Sequence, residues 1–233
     1  MTESVNSVSV VVVAAGNSSR MGGINKQFLF FGETPVLVHT LRAFCTLPEI
    51  GEIIVVTRAE DCNAVASMLD THAITKVKAI VPGGQSRQES VCLGLAHVGA
   101  DKVLIHDGAR PFVTKQEILD VIAALYECDA AVVGVPVKDT VKRVNPDGTV
   151  IETVPRNELM AVMTPQGFTT SVIQKAYQKA NADGVALTDD TSAAEYAGVP
   201  VRVLLGSYQN IKITTPEDIS HGEAICRERG LCE

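Results

Sequence analysis

Short runs of β-branched and other apolar residues recur along this chain, separated by segments with helical spacing, and that alternation constrains the fold more than any other feature. The runs cover residues 8–14, 52–57, 76–81, 102–107, 129–137 and 199–205. Each is nearly continuous in apolar side chains, so both faces of each strand must be covered. Between them, helices are predicted over 35–45, 59–71, 86–97, 114–127, 169–181, 190–197 and 216–229. Pro35 and Pro216 fall where a first helical turn tolerates proline, and Gly198 falls where a helix ends. Strand, helix and strand in alternation imply crossovers and parallel pairing. The sequence therefore predicts an open, mainly parallel α/β sheet wrapped by helices on both faces, with residues 1–233 as a single domain. A chain of 233 residues, 46% of them hydrophobic, can bury a substantial core.

Ligands of such sheets bind beyond the carboxyl ends of the strands. The residues with unusual chemistry fall there. After the first strand come Gly16, Arg20, Gly22, Gly23 and Lys26, within AAGNSSRMGGINKQF. After the third come Gly83, Gly84, Arg87 and Ser90, and after the fourth Asp107, Gly108 and Arg110. A late strand-like piece, NIKITT, adds Lys212. Glycines let backbone amides approach an anion and cations neutralise it, so these clusters together describe a polyphosphate cradle. A glycine-rich loop alone would be only a turn. The loop lacks the Gly-Lys-Ser/Thr of a P-loop and the spacing of a dinucleotide site, and the second strand ends in Thr57 and Arg58 rather than in an acid that could hold a ribose. Hydride transfer is thereby disfavoured. His106 reads as a packed, orienting residue rather than a base. TDDTSAAEYAG, at 188–198, reads as a helix start capped by Asp190 or Ser192. Phe28, Phe30, Phe31 and the methionines read as core.

A net charge of -7 argues against a general nucleic-acid surface, so any phosphate is bound locally. The amino-terminal MTESVNS has no basic region, and the apolar run behind it is too short to cross a bilayer. The six cysteines are scattered singly with no C-x-x-C pair, which suits reduced thiols in a cytoplasm.

TVKRVNPDGTVIETVP, residues 140–155, interrupts the α/β pattern with two β-rich stretches around a strong turn signal. An isolated two-stranded hairpin is marginal in water, and this one has no evident partner in its own chain. A second copy across a two-fold axis is the simplest partner, so a homodimer joined through an arm at 138–157 is expected.

The segments AAGNSSRMGGINKQF, GGQSRQESV, HDGARPF, PVKDTVKR, RNELMAVMTPQGF and NIKITTPED together resemble the 2-C-methyl-D-erythritol 4-phosphate cytidylyltransferases of the non-mevalonate isoprenoid pathway. The resemblance implies a Rossmann-like fold of the nucleotidyltransferase type, with a β-hairpin dimerisation arm. It also implies CMP transfer from CTP to methylerythritol phosphate with release of pyrophosphate, and magnesium on the CTP phosphates. By the same resemblance, Arg20 and Lys26 would stabilise charge at the α-phosphate and the leaving pyrophosphate, and Arg156 and Lys212 would hold the acceptor phosphate. Ala14, Ala15, Gly16, Gly83 and Ser90 would line the CTP pocket. Asp107, Ala109, Arg110, Thr140 and Thr164 would contact acceptor and nucleotide, with Asp107 the one strand-end carboxylate placed to help hold the metal. Gly108-Ala109 stands where the isoprenoid enzymes usually have Ala-Ala and ribitol-5-phosphate cytidylyltransferases typically have Ser-Val. Ribitol 5-phosphate is thus the alternative acceptor, and a CTP sensor without turnover is the alternative from another class.

Overall fold

The structure, a computed structural model, describes residues 7–16 and 25–231. Its strands are β1 (Val8–Val13), β2 (Phe30–Phe31), β3 (Thr34–Pro35), β4 (Ile50–Thr57), β5 (Val77–Pro82), β6 (Lys102–Asp107), β7 (Ala130–Pro136), β8 (Val141–Val144), β9 (Val150–Val154), β10 (Met160–Thr169) and β11 (Arg202–Leu205). The helices are α1 (Val36–Cys45), α2 (Cys62–Thr71), α3 (Arg87–Leu95), α4 (Lys115–Ala124), α5 (Thr170–Ala182), α6 (Asp190–Tyr196) and α7 (Pro216–Glu228). A seven-stranded sheet runs in the order β11-β7-β10-β6-β1-β4-β5. Every pairing is parallel except those of β10, which lies antiparallel to both β6 and β7.

The near-continuous apolar strands do what their composition demands. Val10, Val12, Ile53, Val55 and Leu104 face one way, onto Leu37, Leu41 and Phe44 of α1 and Ile118 and Val121 of α4. Val11, Ile54, Val56, Val103 and Ile105 face the other way, onto Val91 and Leu95 of α3 and Ile173, Ala176 and Tyr177 of α5. Each such side chain contributes roughly 1.5–3 kcal/mol on burial, and a one-residue slip of β1 would exchange its two sets of core contacts. Register is therefore firmly set, and with it the ends of the strands. A smaller cluster of Phe31, Val36, Phe112, Ile213 and Ile225 fastens α7 to the sheet's carboxyl edge.

Several expectations need correction. β10 was not foreseen, because MAVMTPQGFT carries polar residues and a proline instead of an apolar run. Pro165 sits where the β7 pairing shifts register between Val162 and Gln166, so its missing N–H costs the ladder nothing. NIKITT is not a strand. It crosses Ala109 and gives Ile213 N–H to the Ala109 carbonyl at 2.8 Å. Phe30 and Met160 are exposed rather than core, at 57% and 36%. The helix at 190 is capped by Asp189 rather than Asp190: Asp189 accepts from Ser192 N–H at 2.9 Å, and the Ser192 hydroxyl accepts from Asp189 N–H at 3.3 Å to complete a capping box. Cys45, Cys62, Cys92 and Cys128 are free thiols, whereas Cys226 is disulfide-bonded, contrary to the expectation of uniformly reduced cysteines.

The 140–155 segment is the anticipated hairpin. Among the described residues β8 and β9 pair with each other and with no other strand, and the Asn145 carbonyl closes the turn by accepting from Gly148 N–H at 3.0 Å. Val144, Val150 and Ile151 are each more than half exposed on it.

Candidate active site

A cleft of about 480 Å³ opens at the carboxyl ends of β1, β4, β5 and β6. The chain proceeds outward from β1 to β4 and β5, then returns to place β6 on the other side of β1. That reversal splays the loops apart and makes the crevice in which open α/β sheets bind ligands. Ala15, Gly16, Lys26, Arg58, Gly83, Arg87, Ser90, Asp107, Ala109 and Lys212 are among its walls.

The glycine loop after β5 is held by its own backbone and by α3. Gly83 donates to the Thr57 carbonyl at 2.7 Å, and a Cβ on it would stand 2.4 Å from the Ala15 Cβ. Only glycine lets the β1 and β5 loops come so close. Gly84 N–H donates to the Ser90 hydroxyl at 3.1 Å, and that hydroxyl donates to the Ser86 carbonyl at 2.8 Å. Ser86 caps α3 by accepting from Glu89 N–H. The positive end of this helix thus borders the cleft, where an anion is favoured.

Asp107 anchors the cations. Its carboxylate lies 2.8 Å from Lys212 Nζ, 3.3 Å from Arg110 Nε and 3.6 Å from Arg87 Nε. Burial opposes its charge, but Lys212, then Arg87 and Arg110, outweigh burial and hold the carboxyl well below the usual carboxylate range. Arg87 in turn grips Asp190 with two bonds of 2.8 and 2.6 Å, and Tyr177 donates its hydroxyl to the same carboxylate. The segment read as a simple helix start therefore delivers a fully buried counter-charge to the site.

Behind Asp107 runs a chain of hydrogen bonds. Asp107 N–H donates to Thr164 Oγ1 at 3.1 Å, which lies 3.0 Å from His106 Nδ1, while His106 Nε2 lies 3.2 Å from the Arg110 carbonyl. A carbonyl can only accept, so Nε2 carries the proton and Nδ1 accepts from Thr164. Burial pushes the imidazole down to about 4. His106 is an orienting residue, as its sequence position suggested.

Of the residues expected at the site, Ala15, Gly16, Lys26, Gly83, Ser90, Asp107, Ala109 and Lys212 meet around the cleft. Arg20 lies outside the described residues. Ala14 and Thr164 are buried and do not line the cleft, and the Thr164 hydroxyl is engaged by Asp107 N–H and His106 Nδ1. Arg110 is pinned between Asp107 and the Asn210 carbonyl and does not line the cleft. Thr140 and Arg156 are not among its walls and stand at the feet of the arm, where Arg156 donates to the Lys138 carbonyl at 2.7 Å. Sequence reasoning placed Arg87 in the anion cradle without a role of its own and passed over Arg58 as a site residue. The signal was available: Arg58 is a cation directly after a strand at the same edge.

Among the described residues no group of three or more acidic, histidine or cysteine side chains could hold a metal ion. Asp107 and Glu60 are the acids on the cleft wall, and the Asp107 carboxylate is already engaged by Lys212, Arg110 and Arg87, so a divalent ion there would have to take most of its ligands from a triphosphate and water.

The family model described as 2-C-methyl-D-erythritol 4-phosphate cytidylyltransferase matches residues 8–228. A protein of that name from Halalkalibacterium halodurans is 46% identical over 223 residues, spanning 95% of this chain and 97% of its own. One from Alkaliphilus metalliredigens is 44% identical over 226 residues, spanning 95% and 94%. Among solved structures, 4-diphosphocytidyl-2C-methyl-D-erythritol synthase from Anaerococcus prevotii superposes with a TM-score of 0.85 at 32% identity, covering 95% of this chain and 96% of that one.

Proposed function

The chain belongs to the 2-C-methyl-D-erythritol 4-phosphate cytidylyltransferase family, a family of nucleotidyltransferases in isoprenoid biosynthesis, and we propose from the cleft how it moves CMP from CTP to its acceptor. The observation that carries the mechanism is the convergence of Lys26, Arg58, Arg87 and Lys212 on one cleft, around the buried, ionised carboxylate of Asp107.

An oxygen of the acceptor phosphate attacks the α-phosphorus of CTP in line. The new P–O bond forms as the bond to the β-phosphate bridge breaks, and the electron pair leaves on pyrophosphate. A phosphomonoester with its second pKa near 6 is largely dianionic at neutral pH, so no proton has to be removed. His106 could not remove one, since it is buried and both ring nitrogens are engaged. What remains is positioning and charge neutralisation, which supply most of the rate in such transfers. Lys26 and Arg58 serve the triphosphate end, together with Arg20. Lys212, held by Asp107, serves the incoming phosphate. Gly83 and its neighbours leave room for the nucleoside beside Ala15. Magnesium bound through the CTP phosphates and Asp107 would screen the triphosphate charge.

The arm supports a homodimer whose acceptor site is shared. Arg156 and Thr140 do not line the cleft of their own chain, and the exposed valines and isoleucine of β8 and β9 suit a second copy. The enzyme would work in the cytoplasm, without membrane or nucleic-acid partners. No helix among the described residues is long and apolar enough to cross a membrane.

Pyrophosphate release measured with CTP, magnesium and each acceptor in turn tests the reading. Methylerythritol phosphate should be used about a hundredfold better than ribitol 5-phosphate, a ratio that buried polar contacts can supply. Equal use of both would remove the acceptor assignment, and no release with either would leave a nucleotide sensor.

A further inference from the structure

Two of the cleft's cations are mounted on turns that are tied to each other at one point, the carboxylate of Asp61. Lys26 opens a 3-10 turn, Lys26–Phe28, that follows the glycine-rich loop. Asn25 caps that turn: its Oδ1 accepts from Gln27 N–H at 3.1 Å. The other end of the same amide, Nδ2, donates to Asp61 Oδ2 at 2.8 Å, across a sequence gap of 36 residues. Asp61 also takes Arg58, which leaves β4 for the cleft wall, through Nε at 2.6 Å and Nη2 at 3.1 Å. The Asp61 residue is only 9% exposed, whereas Glu60, the other acid near Arg58, meets it at a longer 3.4 Å and with its side chain 66% exposed.

This arrangement has a consequence for the two cations. A lysine or arginine at the end of a flexible stem neutralises a phosphate only as well as its backbone and stem are placed. Asp61 supplies that placing for both. It fixes Arg58 through a two-bonded, charge-assisted contact of the kind that orients a guanidinium. It fixes the start of the Lys26 turn through Asn25, whose two amide ends are thereby both used. We propose that Asp61 is a positioning residue that sets Lys26 and Arg58 as a pair on the polyphosphate end of the cleft. The inference rests on the reading of the cleft as a phosphate site, although not on the identity of the acceptor.

The test uses the intact protein with Asp61→Ala, Asn25→Asp and Arg58→Lys. Asn25→Asp is the informative variant, because aspartate keeps the cap on Gln27 N–H but turns the bond to Asp61 into a repulsion. Binding of inorganic pyrophosphate by calorimetry and steady-state turnover with CTP are read for each, alongside melting temperature. Losing a hydrogen bond to a charged group commonly costs about tenfold to a hundredfold. Asp61→Ala and Asn25→Asp should each weaken pyrophosphate binding and lower kcat by about tenfold or more, with melting within a few degrees of wild type. Combining Asp61→Ala with Asn25→Asp should be no worse than the poorer single variant, as expected for residues acting through one contact. Arg58→Lys should weaken pyrophosphate binding by less than Asp61→Ala, since it disturbs one of the two cations. Wild-type pyrophosphate affinity and kcat in Asn25→Asp would overturn the proposal, as would loss in Asp61→Ala that tracks melting alone. A wild-type protein that does not bind pyrophosphate at all would instead refute the phosphate reading of the cleft.

Discussion

Acidification from pH 7 to pH 5 should destabilise the fold through His106, and by an amount that the structure lets one calculate. The imidazole is fully buried, its Nε2–H is spent on the Arg110 carbonyl, and its Nδ1 accepts from Thr164. Burial lowers its pKa from 6.5 to about 4, with the Arg110 bond and the Asp107 charge only partly offsetting. Between those values the unfolded chain binds a proton at this ring that the folded chain refuses, so stability rises with pH across the window and is lost as pH falls from 6.5 toward 4. The whole shift of 6.5 less about 4 corresponds to roughly 3 kcal/mol, of which about 2 kcal/mol is lost between pH 7 and pH 5. For a chain of 233 residues, 1 kcal/mol moves the melting temperature by about 2–4 °C, so this group lowers it by about 4–8 °C. Asp107, its neighbour, adds nothing in that interval. Its depressed pKa makes its contribution complete above the ordinary carboxylate value, and that contribution fades only in stronger acid. The assay is melting temperature against pH for wild type and His106→Gln. Whatever the variant loses at pH 7, its slope between pH 7 and pH 5 should be shallower by about that amount. Parallel slopes would refute the buried, neutral imidazole.

Three further outcomes follow from the same geometry. Gly83→Ala drives a Cβ to 2.4 Å from that of Ala15 and should cost about 1–3 kcal/mol in urea unfolding while raising the KM for CTP; an unchanged midpoint and KM would mean that the two loops do not meet there. Lys26→Ala should lower kcat by about two decades with a much smaller effect on CTP binding, because its charge matters most where negative charge develops; a pure KM effect in steady-state kinetics would make it a binding residue only. Mixing Arg156→Ala with Lys26→Ala chains should restore part of the activity if the arm crosses to a partner's cleft. A mixture as inactive as its parents, with subunit exchange demonstrated, would show that each chain uses its own Arg156.

The sheet and most of its helices were legible because they rest on patterns that burial enforces. β1, β4, β6 and β7 lie between two helical layers, so apolar runs with no polar face could be nothing else. β10 escaped because its place between β6 and β7 is set by long-range pairing rather than by local composition, and its proline hides in a register shift. At the site, the glycines and cations at strand ends were readable since the sheet's geometry brings all such ends to one edge. The partners were not. Nothing local says that Asp190 serves Arg87 from 103 positions away, or that Asp61 ties down Asn25. Thr164, expected as a ligand contact, is buried with its hydroxyl engaged by Asp107 and His106, an environment that no local pattern reveals. Arg156 lies at the arm's foot and is not among the walls of the cleft, a placement that its sequence motif did not reveal.

Diffraction from crystals grown with CTP and magnesium tests the central claim most directly. The triphosphate should lie in the cleft between the β1 and β6 ends, its phosphate oxygens within hydrogen-bond reach of Lys26 and Arg58, and the nucleoside beside Ala15, Gly83 and Ser90. A triphosphate bound elsewhere, or one lying in the cleft with Lys26 and Arg58 both turned away, would contradict it.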